Sequence, residues 1–521
     1  MTRQTLLAGT AVLVAASLFN RILGFTYQIL IIKLIGAQGI GIYNMVFPIY
    51  ILSIVIASAG IPLAVARFVA AESSRKNYAG VRRILWISLT FLFATGLLTT
   101  VLLYLLVPFL RDHVFPNPDA FVVFRVLLPG ILVISVSSVF RGYFQGLMQM
   151  TPTAVSQVAE QVVRVVFGLL LARFFLPAGI QYAAMGSAIG TIIGEFVSLA
   201  FLGGLYLRHV SHIPKGISVR LPSYGRLLGD MLTFSIPVSL SRILATVILS
   251  LEATIIPRQL LAAGHSLAEA TSMYGQLTGM ALPILAIPSV LTASLATAMV
   301  PAVSAAHAAG QVNALNERIT DALKITMIGG LPAVALFIMI PGELTNILFH
   351  NYQAGQALRI LAVGGLFYYM QQTTTSILQG LGRANLPLRN LLIASVLELL
   401  GLVLLVDIPG IGLAGAAWAI NISFIVTASL NFVDIVRLVG LTLSISELFV
   451  RPLGITLFMV AVLLGVYRSL LLLEYTYTHA LLLSLSMAGL SYLLLLLGSG
   501  LLPPTILKRI SLQRMWQKIA R

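Results

Sequence analysis

The sequence predicts an all-α polytopic membrane protein of about fourteen transmembrane helices. They form two six-helix lobes in a parallel pseudo-two-fold repeat, with two further helices at the C-terminal end. Three observations carry this: the composition, the length and number of the apolar runs, and internal repetition. Of 521 residues, 59% are hydrophobic and only 9% charged, where soluble domains carry about 25% charged residues. The mean hydropathy of +1.00 agrees. So few charges could not cover the surface of a soluble domain of this size. A soluble enzyme, a DNA-binding protein and a disordered scaffold are therefore excluded as readings of the whole chain. The net charge of +16 does not point to nucleic acid here, because the basic residues sit mostly between apolar runs. It points to membrane orientation and to anionic lipid headgroups. The absence of cysteine excludes disulfides, thiolate metal sites and cysteine nucleophiles.

A spanning helix needs about 20 apolar residues. Such runs centre on 6–35, 40–69, 84–109, 121–147, 154–176, 180–207, 231–262, 273–303, 322–349, 357–381, 388–408, 411–436, 452–473 and 479–502. The first run continues past Asn20-Arg21 to Ile35, too long for the apolar part of a cleaved signal peptide, and reads as an uncleaved first helix. Pro48, Pro62, Pro237, Pro283, Pro288 and Pro332 fall inside the runs, where proline removes a ladder donor and is expected to bend the helix. The organisation that follows is an N-terminal lobe at 1–210, a linker at 211–226, a second lobe at 227–438, helices 13 and 14 at 439–502, and a basic tail at 503–521. The tail mixes Leu512 and Trp516 with Lys508, Arg509, Arg514, Lys518 and Arg521, which suits the surface of a membrane leaflet. No connection is long enough to bury a core of its own.

Lys and Arg are distributed unevenly between alternate loops. One set, which includes Arg75, Lys76, Arg82, Arg83, Arg208, Lys215 and the tail, holds 20 of them, and the other holds 7. The positive-inside rule places both termini in the cytoplasm, consistent with an even number of crossings.

The ionisable residues inside apolar runs are the informative ones, since each costs about 2.5–3.5 kcal/mol at a helix centre on insertion scales. They are Arg21, Arg67, Arg141, Glu160, Arg164, Glu195, Arg242, Glu252 and Glu398. Arg67 and Arg141 are near enough to helix ends to snorkel, and Glu160 and Arg164, spaced i,i+4, can neutralise each other. Arg21, Arg242 and Glu252 sit mid-helix without an evident local partner and are the best candidates to line a wet cavity. Guanidinium forks suit phosphate or pyrophosphate, whereas Glu252 or Glu160 could bind a coupling cation or a proton. There is no Walker motif, no Ser-His-Asp spacing and no paired carboxylate motif, which argues against an enzyme. No cofactor or metal is expected, and His209 with His212 reads as a solvated pair in a basic loop. The run Gly186-Ser187-Ala188-Ile189-Gly190 to Gly194 reads as close helix packing.

The halves resemble each other. Gln145-Gly146-Leu147 followed by Pro152 recurs as Gln379-Gly380-Leu381 followed by Pro387. Gly179-Ile180, Ala183 and Ala188-Ile189 recur as Gly410-Ile411, Ala414 and Ala419-Ile420, offset by 231, and Arg21-Ile22-Leu23 recurs as Arg242-Ile243-Leu244, offset by 221. Both offsets span an even number of helices, which makes the repeat parallel, with a cavity expected where two such bundles meet.

With these residues in place, the chain resembles the stage V sporulation protein B group of polysaccharide-type flippases. That group belongs to the multidrug, oligosaccharidyl-lipid and polysaccharide exporter superfamily, which also holds the lipid II flippases. The densest part of the resemblance is Arg141-Gly142-Tyr143-Phe144-Gln145-Gly146, then Ser156-Gln157 through Arg164, with Tyr274-Gly275-Gln276-Leu277-Thr278-Gly279 in the second half. It implies translocation of an undecaprenyl-pyrophosphate-linked peptidoglycan precursor for the spore cortex, by a membrane-embedded, monomeric carrier that can work beside cell-wall synthesis proteins. The cavity residues implied are Arg21, Arg242, Arg141, Arg164, Gln145 and Gln276. Arg21-Ile22-Leu23-Gly24-Phe25 fits the first-helix motif of the lipid II flippases, but Tyr27-Gln28 stands where they have Arg-Asp, and Gln276 stands where an arginine is expected. The alternatives are a cation-coupled multidrug exporter and, from a different class, a membrane-embedded glycan polymerase or a wall-synthesis scaffold.

Overall fold

The computed structural model of the chain describes residues 6–210, 223–441 and 444–501. The basic tail, most of the 211–226 linker and His212 lie outside the described residues. Helices dominate: α1 (Leu6–Ser58), α2 (Ile61–Ser74), α3 (Tyr78–His113), α4 (Ala120–Gly146), α5 (Met150–Phe175), α6 (Ile180–Val210), α7 (Tyr224–Ala262), α8 (Leu267–Gly275), α9 (Leu282–Ala286) and α10 (Ser289–Ala308) come first. They are followed by α11 (Val312–Met339), α12 (Pro341–Phe349), α13 (Ala354–Gly380), α14 (Asn385–Leu405), α15 (Leu413–Val439), α16 (Arg451–Leu472) and α17 (Tyr477–Gly498). Among the described residues, 12 helical stretches are long and apolar enough to cross a membrane. The first, Val12–Ser74, has 63 residues, about three times what one crossing needs. It divides at Gly36, whose φ of 70° and ψ of −176° break the helix. A Cβ there would meet nothing, so glycine is required by the left-handed backbone and not by lack of room. α13, with 27 residues, is also long enough to span, although Gln371, Gln372 and Thr373 to Thr375 dilute its apolar content. Two apolar segments in the first stretch and one in α13 bring the number close to the fourteen of the sequence reading.

The prolines do two different things. Pro48, Pro237 and Pro332 lie inside α1, α7 and α11. Pro62 and Pro283 instead occupy the first turn of α2 and α9, and Pro288 caps α10. For Pro62, which follows the left-handed Gly60, the expectation of a bent continuous helix is corrected to a helix start, where the missing N–H costs nothing and the fixed φ is already helical. Pro283 instead follows the π-helical turn without a break, and Pro288 follows a bend at Ile287. The run 273–303 is accordingly not one helix. It is assembled from the end of α8, a π-helical segment at Gln276–Ala281, α9 and α10.

The chain divides into two compact units, Met1–Gly279 and Met280–Arg521. In the first, α4, α5 and α6 pack on one another and on α1, while α7 packs along α1 and against α2. Its apolar core includes Val65, Leu85, Phe144, Leu202 and Met231, all fully buried. Two cation–π contacts hold α7 here, Arg67 over Phe234 at 4.3 Å and Arg83 over Tyr224 at 4.2 Å. α8 lies against α1 at contact distance of the backbones: a methyl at Gly41 would overlap the carbonyl oxygen of Thr271, and one at Gly275 that of Ala37. Overpacking of this kind typically costs ~1–3 kcal/mol. Gly275→Ala is therefore expected to lower the thermal unfolding midpoint of the purified protein. Gly454→Ala, in α16 where a Cβ meets nothing within 4 Å, should not. Equal midpoints for the two variants would contradict the α1–α8 packing.

In the second unit, α13, α14 and α15 pack in the order of α4, α5 and α6 in the first. Val303, Ile319, Leu378 and Ile435 form a core between α10, α11, α13 and α15. α16 and α17 pack on each other, and α16 also packs on α11. The Tyr492 hydroxyl donates to the Ile328 carbonyl at 2.7 Å, and Lys324 pairs with Glu447.

Candidate functional site

The glycine run of α6 places the charges. Gly186, Gly190 and Gly194 recur every fourth residue and so share one face. On that face a Cβ at Gly186 would strike Leu171, one at Gly190 the backbone of Gly168, and one at Gly194 the carbonyl oxygen of Glu160. α5 and α6 thus approach backbone to backbone, and Glu195 is carried up to the Glu160–Arg164 turn of α5. Arg141 comes from α4. Its Nη2 donates to Glu160 Oε2 at 2.6 Å and to Ser198 Oγ at 3.0 Å, so it turns inward and does not run out along its helix. Arg164 Nη2 donates to Glu160 Oε1 at 2.7 Å. Glu195 receives only the outer contacts, 3.6 Å from Arg141 and 3.4 Å from Arg164. The four formal charges cancel. Burial makes the cancellation necessary, since the carboxylates are only 11% and 7% exposed and an unpaired charge there would cost several kcal/mol.

A polar row runs beside the glycine row on α6: Ser187, Thr191, Glu195 and Ser198. α1 faces it with tyrosines. The Tyr27 hydroxyl bonds Ser187 Oγ at 2.7 Å and the Tyr43 hydroxyl bonds Thr191 Oγ1 at 3.4 Å. Tyr50 is fully buried and its hydroxyl has no partner among the described residues. The i,i+4 spacing of Glu160 and Arg164 showed half of this cluster in the sequence. Glu195 was visible as an intramembrane charge, but the spacing Ser187, Thr191, Glu195, which puts it on the same face as two hydroxyls, is the signal that went unused.

The other expected site residues lie outside the tetrad. Arg21 on α1 and Arg242 on α7 are both exposed, on helices that pack together, and neither forms an ion pair among the described residues. Gln145 is half-buried in the last turn of α4, where its main-chain carbonyl accepts from the amide of Met148 at 3.0 Å. Gln276 is buried and opens the π-helical segment. The Gln28 side chain donates to the Gly279 carbonyl at 2.8 Å, and Asn44 bonds Thr278 Oγ1 at 3.1 Å. Glu252, half-buried on α7, lies within electrostatic reach of Tyr274, whose hydroxyl donates to the Asn44 carbonyl at 3.3 Å. The second unit holds a network the sequence reading did not single out. There Asn390 of α14 donates to Asp434 at 2.8 Å and to Asn431 at 2.9 Å, both on α15, and Arg389 donates to Asp434 at 2.8 Å.

These features define a multi-pass, helical membrane protein whose first unit encloses a cluster of two carboxyls and two guanidiniums. Its fold is that of the solved "Lipid II flippase MurJ, inward closed conformation", with a TM-score of 0.68 over 92% of this chain and 97% of that one, at 16% identity. A multidrug resistance MATE family transporter of the MOP superfamily, in an inward-facing conformation, follows with a TM-score of 0.63 over 81% of this chain and 94% of that one, at 18% identity. In sequence, Stage V sporulation protein B of Bacillus subtilis (strain 168) is 30% identical over 448 residues, 86% of either chain. The lipid II flippase MurJ of the same organism is 25% identical over 84% of either chain. The polysaccharide biosynthesis protein family matches residues 6–307, and MatE matches 234–404. The chain belongs to the polysaccharide biosynthesis protein family.

Proposed function

We propose that the protein is a flippase that carries an undecaprenyl-pyrophosphate-linked peptidoglycan precursor, or a related oligosaccharide lipid, from the inner to the outer leaflet for spore cortex synthesis. The observation that carries this is the relationship, along nearly the whole chain, to Stage V sporulation protein B and to a lipid II flippase. Arg21 and Arg242 support it, as two exposed guanidiniums mid-helix in otherwise apolar segments. A charge in that position is tolerated where water reaches it, and a fork of donors matches phosphate oxygens. The carrier works as a monomer by alternating access, with both termini in the cytoplasm, as the excess of Lys and Arg in alternate loops supports. An inside-negative potential favours outward movement of an anionic headgroup by about 2.3 kcal/mol per charge per 100 mV.

The test is leaflet accessibility in proteoliposomes that contain the purified protein and a fluorescent lipid-linked disaccharide-peptide. Bleaching of the label by a membrane-impermeant reductant is expected to pass from about half to nearly all of the lipid when the protein is present. The MatE match over 234–404 favours a second reading, export of small amphipathic compounds driven by a cation. Proteoliposomes that leave the lipid in place but extrude such a compound would establish that reading instead.

A further inference from the structure

The two carboxylates of the tetrad are held very unequally. Glu160 takes a short bond on each oxygen, 2.6 Å from Arg141 and 2.7 Å from Arg164, so both guanidiniums are committed to it first. Glu195 is left with the two longer contacts, and its Oε2 accepts no hydrogen bond although the residue is 5% exposed. A buried carboxylate with an unsatisfied oxygen loses solvation that its neighbours do not return. Tyr50 of α1, within electrostatic reach of Glu195, carries a hydroxyl that is likewise unbonded among the described residues.

We propose that Glu195 is a reversible proton-binding site, and that its occupancy is coupled to the transport cycle. A proton from water forms an O–H bond at Oε2, the carboxylate becomes a neutral acid, and the tetrad passes from net zero to +1. The proton returns to water when the step reverses. The groups that face Glu195 are Arg141 from α4, Glu160 and Arg164 from α5, and Tyr50 from α1, while Tyr27 and Tyr43 of α1 face Arg164. Arg141 and Arg164 keep 20% and 23% of their side chains exposed, which gives the cluster an edge through which a proton can arrive. Glu160 is not suited to this role, because a proton on either oxygen would displace a guanidinium held there at 2.6 or 2.7 Å. α1 is the element that registers the change. It is tied to the polar row of α6 by Tyr27 and Tyr43, and it also carries Arg21 and the contact with α8. A proton on Glu195 therefore alters the helix that bears the proposed phosphate contact.

The coupling role rests on the carrier reading; the proton site does not. A hydrophobic carbodiimide, which reacts with protonated carboxyls in apolar surroundings, is applied to the wild-type protein in proteoliposomes across a range of pH, and the adducts are mapped by peptide mass spectrometry. Label at Glu195 is expected to fall about tenfold per pH unit above the midpoint of the site, as loss of one proton requires, with Glu160 unlabelled throughout. A yield at Glu195 that is absent or independent of pH, or equal label at Glu160, overturns the site. Proton movement during lipid flipping is then followed with an internal pH dye. Wild type moves protons with lipid and Glu195→Gln does not; flipping by wild type without proton movement overturns the coupling. Whether lipid is flipped at all is read in the separate leaflet assay, so failure of the carrier reading and failure of the proton site are told apart.

Discussion

Replacing Arg21 by alanine is expected to abolish flipping of the lipid-linked precursor while leaving the protein in the membrane at wild-type abundance. Both halves of that expectation follow from where the residue lies. Arg21 is exposed and has no ion pair among the described residues, so truncation opens no cavity and strands no partner charge. Its proposed work is on the substrate. Loss of one side of a desolvated, hydrogen-bonded charge pair costs about 2–5 kcal/mol, which is roughly 30- to 4,000-fold in rate. Arg21→Lys keeps the charge but loses the planar fork, so it should fall between the two. Arg242→Ala is expected to behave like Arg21→Ala, since the residues occupy matching places in the repeated Arg-Ile-Leu segments. The check is the leaflet assay beside an immunoblot of membrane fractions. An Arg21→Ala protein that flips at the wild-type rate ends the phosphate assignment.

Glu160→Ala has the opposite signature, a failure of folding before any failure of transport. Its carboxylate is the shared acceptor of Arg141 and Arg164, so its removal leaves two guanidiniums competing for the longer contacts of Glu195. Breaking a buried pair by removing one partner typically costs about 3–5 kcal/mol. A sharply lower thermal midpoint in detergent is expected, together with reduced recovery as a monodisperse peak. Adding Arg141→Ala should restore part of the loss, because it removes one of the stranded charges. The pair between Arg111 and Asp112 is the comparison: its side chains are 54% and 65% exposed, and Arg111→Ala should cost below about 1 kcal/mol. If Glu160→Ala and Arg111→Ala unfold together, the tetrad is not holding α4, α5 and α6.

What the sequence made legible follows from what apolarity measures. A run of some 20 apolar residues is close to sufficient for a membrane helix, so the spans could be read directly. The glycine row of α6 was legible for the same reason, since its meaning depends on spacing within one helix. The tetrad was not, because the rotation of one helix against another is decided by packing. Glu160 and Arg164 announce each other across one turn, but nothing in the spacing says that Arg141, 19 residues earlier, or Glu195, 31 residues after Arg164, turns toward them. The breaks in 273–303 were hidden by an even hydropathy, and proline alone does not tell a kink from a start. Arg21 and Arg242 stood out from the beginning because nothing nearby in sequence could neutralise them.

The two rows of α6 are offset by a single residue: Gly186 beside Ser187, Gly190 beside Thr191, Gly194 beside Glu195. One residue turns a helix by about 100°. Gaining a single position within this stretch would swing glycine toward the guanidiniums, and losing one would drive Glu195 into the seam with α5, where there is no room even for a methyl group. The stretch from Gly186 to Glu195 therefore works as a fixed-length ruler. Side chains elsewhere in the lipid-facing helices can drift in size and type, but this part of the chain can change only by substitution, never by a change of length.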